Sequence, residues 1–276
     1  MSAFFFTLMN IFVRLSGDLP SLQKSFFRNF VAMFFAIVLL VKNHTSFSCK
    51  KENIKYFIMR AGFGTLGILC NFYAVDHLVL ADASMLNKMS PFFAIIFSYF
   101  LLKEKVKPVQ ALAVLGAFIG SLFIIKPTFA NLDLFSSLIG LLGGMSAGIA
   151  YTMVRILGTR GEKGPFIVFF FSAFSCICTL PLLIINYTPM SLAQLGILLL
   201  AGVAAAGGQF SITAAYTYAP ARELSVYDYS QVIFSAILGY FIFGQVPDGY
   251  SWIGYILICG MALWMFINVQ KKQSSL

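Results

Sequence analysis

The stretch "LADASMLNKMSPFFAIIFSYFLL", residues 80–102, decides how the chain is read. It is long and apolar enough to cross a bilayer as a helix, for which about 20 residues suffice. Yet Asp82, Asn87, Lys88 and Pro91 stand inside it. Hydrocarbon rejects a lysine, and a helix interior rejects a proline because it lacks a backbone donor. A membrane span tolerates both only where it faces protein or a water-filled cavity. The stretch is therefore either no span at all or one wall of a cavity.

Composition settles the first half of that choice. Hydrophobic residues make up 59% of the chain and charged residues 11%, against about 25% charged in a soluble domain. Apolar runs recur at 1–15, 25–42, 56–75, 80–102, 108–126, 137–157, 165–185, 193–215, 222–243 and 250–268, all but the first long enough to cross a bilayer. The reading is an all-α polytopic membrane protein with ten transmembrane helices. The first run is short for a crossing, so part of its helix is expected ahead of Met1. The net charge of +9 fits basic loops rather than a nucleic-acid partner. Lys and Arg concentrate in the connections 42–55, 103–107 and 155–163, at Arg222 and in the tail at Lys271 and Lys272. Arg14, Lys24, Arg28 and Lys126 fall on the other side. The asymmetry predicts cytoplasmic N- and C-termini in the cell membrane.

An offset of 141 residues aligns the chain with itself. Val13-Arg14 falls on Val154-Arg155, Gly67 on Gly208, Ser84 on Ser225, and Tyr99-Phe100 on Tyr240-Phe241. The predicted units are residues 1–126 and 137–268, each with five spans. Because five is odd, the second enters the membrane from the opposite side, a 5+5 inverted repeat of the kind that builds secondary transporters.

Polar side chains at helical spacing mark the faces turned inward. They lie on spans 1 (Asn10), 3 (Arg60, Asn71), 4 (Asn87, Lys88), 6 (Tyr151), 8 (Gln209) and 9 (Asp228, Gln231). Lys88 sits about seven residues inside its span, ~10 Å at 1.5 Å per residue, too deep to reach the headgroups comfortably. Asp228 lies as deep from the other face, so an ion pair between them requires a tilted or broken helix. Arg14, Arg28, Arg60 and Arg155 lie near span ends and are expected to anchor at the headgroups; Tyr216, Tyr218 and Tyr240 could belong to aromatic belts. Gly140, Gly144 and Gly148 form a ridge expected to let backbones approach. Cys176 and Cys178 lack zinc-site spacing and a nearby His, so no metal or cofactor is expected. No HExxH motif and no concentrated cluster of Asp, Glu and His occurs.

The sequence resembles the drug/metabolite transporter superfamily, EamA type. The likeness rests on "SFFRNFVAMFFAIVLL" for the second helix, "LADASMLNKMSPFFAIIFSYFLLKEK" for the fourth, and "YSQVIFSAILGYFIFGQVPDGYSWIGYILI" for the last two. Gln245 stands where the family usually has Glu. The resemblance implies a cavity lined by helices 1, 3, 4, 6, 8 and 9, and secondary transport of a small metabolite, often export of amino acids or related compounds. On this reading Lys88 attracts an anionic group, and Asn87, Asn71 and Gln209 donate or accept hydrogen bonds. Asn10 and Gln231 complete the polar lining, and Tyr151 and Tyr227 form walls. Pro91 opens helix 4, and Asp228 is the candidate coupling proton site. The expected partners are a small-molecule solute and the lipid bilayer, with monomer and homodimer both open. The competing classes are a passive channel and a membrane-embedded enzyme.

Overall fold

A computed structural model of the protein describes residues 1–102, 107–125, 134–219, 224 and 227–273. Lys103, Glu104, Lys105, Lys126, Arg222 and Ser225 lie outside the described residues. All the described regular structure is helical: α1 (Ser2–Leu15), α2 (Ser21–Lys42), a 3₁₀ turn (Lys51–Asn53), α3 (Ile54–His77), α4 (Leu80–Asn87), α5 (Ser90–Leu102), α6 (Pro108–Ile125), α7 (Leu134–Thr159), α8 (Gly164–Ile185), α9 (Leu192–Tyr218), α10 (Ser230–Phe243) and α11 (Gly249–Gln273). The spans read from the sequence fall on single helices, except that residues 80–102 divide into α4 and α5 and that, of the span at 222–243, α10 takes up only Ser230–Phe243, after a turn at Tyr229. Among the described residues, six helices are long and apolar enough to cross a membrane. Ser2–Leu15, Pro108–Ile124 and Ser230–Phe243 are apolar but shorter.

Local chemistry fixes the ends. Proline opens α6 at Pro108 and stands in the first turn of α8 as Pro165, where a missing N–H costs nothing. Ser191 and Gln194 form a reciprocal capping box at the start of α9. Gly244 ends α10 in the left-handed conformation, φ +64°, which glycine adopts without a steric cost.

Burial is inverted relative to a soluble protein. Phe34, Phe100, Ile119, Ile177, Ile184, Phe241 and Ile256 are exposed, whereas Thr7, Asn10, Arg28, Asn29, Arg60, Asn71 and Gln209 are buried. Lipid accepts the first set, and the bundle interior must satisfy the second. Asn29 does so across helices, donating to the Ser175 hydroxyl of α8 at 2.8 Å. In the packing, α1 lies on α9, α3 on α7, α2 on α8, α6 on α11, and α4 on α10. The glycine ridge of α7 behaves as predicted. A Cβ on Gly148 would lie 2.7 Å from the Ser90 carbonyl and 2.6 Å from Phe93 Cβ, and one on Gly144 would overlap the Leu86 carbonyl. These glycines bring α7 against the junction of α4 and α5.

Candidate functional site

That junction is a break in the helical ladder. The last regular bond of α4 runs from Lys88 N–H to the Ser84 carbonyl, and the Met89 and Phe92 amides tighten to i−3 acceptors. The Asn87 carbonyl would take the amide of residue 91, which proline lacks. The Lys88 carbonyl is also freed, and the Tyr229 hydroxyl donates to it at 3.0 Å. Pro91 is thus the second residue of α5 and sits where its missing donor is cheapest. Because the helix breaks here, Lys88 reaches Asp228: Nζ lies 3.9 Å from Oδ1, and both residues are buried. Ser2 Oγ donates to the same carboxylate oxygen at 3.5 Å.

Beside the break lies a cavity with about 60 Å³ open to water centres. Its polar lining is Asn10, Arg28, Arg60, Asn71, Asn87, Tyr151, Gln209 and Gln231. Phe6, Met9, Ile68 and Phe171 supply apolar wall, and Gly64, Gly67, Ala147 and Ala150 keep it open. Asn71 donates to Asn10 Oδ1 across α3 and α1 at 3.2 Å. Arg28 donates to Gln209 Oε1 at 3.2 Å, and Gln209 donates to the Thr213 hydroxyl at 3.1 Å. Tyr151 stacks on Tyr216, with ring centroids 4.6 Å apart.

Six of the residues singled out from the sequence meet on this surface: Asn10, Asn71, Asn87, Tyr151, Gln209 and Gln231. Lys88 and Asp228 do not line it; they stand next to it as a pair. Tyr227 is 67% exposed and packs on Phe266, so it forms no wall of the cavity. Tyr216 is buried against Tyr151 rather than placed in an aromatic belt.

The arginines correct the headgroup reading. Arg28 and Arg60 are 1% and 2% exposed and line the cavity. Both guanidinium groups lie over Phe171, the Arg60 carbon 4.1 Å and the Arg28 carbon 5.6 Å from its ring centroid. Arg14 donates to the Val75 and Leu78 carbonyls at the end of α3, and Arg155 to the Thr217 carbonyl at the end of α9. They neutralise the negative ends of two helices. The helices α2 and α3 begin ahead of the spans read at 25–42 and 56–75, which places Arg28 and Arg60 deeper than the sequence did. Gln245 plays a structural part. Its Oε1 accepts the Leu80 N–H at 3.0 Å and caps α4.

The profile of the EamA-like transporter family matches residues 1–126 and 134–267. The chain belongs to the EamA-like transporter family. It is 31% identical over 261 residues to the pseudopaline exporter CntI of Pseudomonas aeruginosa, covering 94% of this chain and 90% of that one. It is 28% identical over 257 residues to a riboflavin transporter of Brucella anthropi, covering 90% and 88% of the two chains. A crystal structure with 14% sequence identity superposes over 98% of this chain and 96% of its own with a TM-score of 0.75, which shows a shared fold. Family and relatives point to a multi-pass membrane transporter of small molecules rather than an enzyme.

Proposed function

We propose that the protein is a secondary transporter that exports a small metabolite, an amino acid or related compound, across the cytoplasmic membrane by alternating access. The observation that carries this reading is a buried polar cavity, walled by α1, α2, α3, α7, α8, α9 and α10 and by the break after α4, inside a bundle whose outer surface is apolar. A solute leaving water needs such a surface to replace its hydration. The export direction rests on the likeness to the pseudopaline exporter, and cytoplasmic termini rest on the loop charges.

Alternating access in this reading is the rocking of two inverted repeats, residues 1–126 and 137–268, about the cavity. Side-chain roles related by the 141-residue offset support the repeat. Asn10 corresponds to Tyr151 and Ile68 to Gln209, and all four line the cavity. Arg14 corresponds to Arg155, and each holds the end of a neighbouring helix. The Thr7 hydroxyl meets the Gln231 carbonyl at 3.4 Å, while the corresponding residues Gly148 and Ser90 meet in the other half. The packing of α1 on α9 exchanges with that of α7 on α3.

Asn10, Asn71, Asn87, Tyr151, Gln209 and Gln231 contact the solute in this scheme. Asp228 is the coupling proton site, and its protonation frees Lys88 and loosens the break between α4 and α5. The test is flux in proteoliposomes across an imposed pH gradient, with a panel of metabolites. Saturable flux that the gradient drives, and that loses this dependence in Asp228→Asn, is the expected result. A conductance that does not saturate would make the protein a channel instead.

A further inference from the structure

Charge in the cavity is unbalanced. Lys88 is matched by Asp228, but Arg28 and Arg60 face the cavity with no Asp or Glu among its described lining residues. Their partners are a ring and two side-chain amides, none of them anionic. Arg28 donates to Asn29 Oδ1 and Gln209 Oε1, and Arg60 donates no hydrogen bond among the described residues. The Nε of each is buried without an acceptor, and so is Asn10 Nδ2, three donors in one pocket, where Asn71 Oδ1 and Gln231 Oε1 are the acceptors left without a donor. A guanidinium is always protonated and presents a planar fork suited to carboxylate or phosphate oxygens. Two of them buried and unmatched in a membrane bundle are costly unless a ligand supplies the missing charge.

We propose that this cavity binds a dianionic organic solute, its two negative charges carried by carboxylate or phosphate oxygens on Arg28 and Arg60, with Phe171 against its apolar body. The assignment rests on the transport reading above and adds the substrate's charge to it. It moves the anion-binding role from Lys88, whose charge is already satisfied, to the arginine pair.

The test is thermal unfolding of the full-length protein in detergent, titrated with succinate, with glycerol 3-phosphate and with glutamine as a neutral zwitterion, all at matched ionic strength. Succinate or glycerol 3-phosphate should raise the melting temperature saturably, and whichever acts names the oxyanion; glutamine should not. Arg60→Gln should need on the order of thirtyfold more of that dianion for the same shift. Without ligand it should melt at least as high as the wild type, because a buried unmatched charge has gone. Arg28→Lys keeps the charge and should retain part of the response. The proposal is overturned if neither dianion stabilises the wild type, if glutamine stabilises it equally, or if Arg60→Gln responds unchanged. Flux separates the two readings. Saturable transport of neutral solutes that dianions do not inhibit would leave the transporter standing and remove the charge assignment. Dianion binding without flux of the bound compound would do the reverse.

Discussion

Lys88 and Asp228 show how a buried charge is tolerated in this chain: each is the other's counter-ion. Removing one strands the other in low dielectric, which costs about 3–5 kcal/mol, whereas replacing both with apolar groups costs much less. Lys88→Ala should therefore lower unfolding stability in detergent more than the Lys88→Met/Asp228→Leu double substitution does. Equal losses would mean that the pair carries little coupling. Gln245 offers a quieter check. Its side chain already accepts from the first turn of α4, so Gln245→Glu keeps the bond and sets a negative charge against the helix N-terminus. A gain of about 0.3–1 kcal/mol is expected, measured by the same unfolding assay. At this level the sequence was legible in part. Polar residues deep in apolar runs announced Asn10, Asn71, Asn87 and Gln209, because hydrocarbon leaves them nowhere else to go. Arg28 and Arg60 escaped because a long side chain near a span end has two outlets, headgroup or cavity, and only packing selects between them.

The break between α4 and α5 is built by two neighbours. Tyr229 supplies the hydrogen bond that the Lys88 carbonyl lost, so Tyr229→Phe should cost about 1–3 kcal/mol as an unmatched buried acceptor. Gly148 supplies the room. Gly148→Val meets the Ser90 carbonyl and Phe93, and overpacking there should cost about 1–3 kcal/mol or more. Gly62→Ala is the contrast: a Cβ at Gly62 meets nothing within 4 Å, and α3 should gain up to about 1 kcal/mol from better helix propensity. Melting curves of the two glycine variants should diverge in sign. Pro91 and the α7 glycines were both readable as weak points and close-packing sites. That they form one feature, glycines of α7 set against the break in the fourth span, was not, because periodicity describes a helix alone and not its neighbour's register.

The bundle joins these parts into one arrangement: apolar outside, polar cavity within, and a helix that bends where a charge pair closes beside it. The all-helical fold and the order of its helices followed from hydropathy, since every backbone group in a membrane helix must be satisfied within the helix; six of the described helices are long and apolar enough to cross a membrane. The charge of the cavity followed only from three-dimensional packing, which brings Arg28 of α2, Arg60 of α3 and Phe171 of α8 together. Alternating access requires this cavity to open in turn to each side of the membrane. The direct measurement places a single cysteine at Asn87 in a cysteine-free background and exposes sealed vesicles to a membrane-impermeant thiol reagent from one side and then the other. Alternating access predicts labelling from both sides without passage of the reagent through the protein. Labelling from one side alone, or free passage of the reagent, would contradict it.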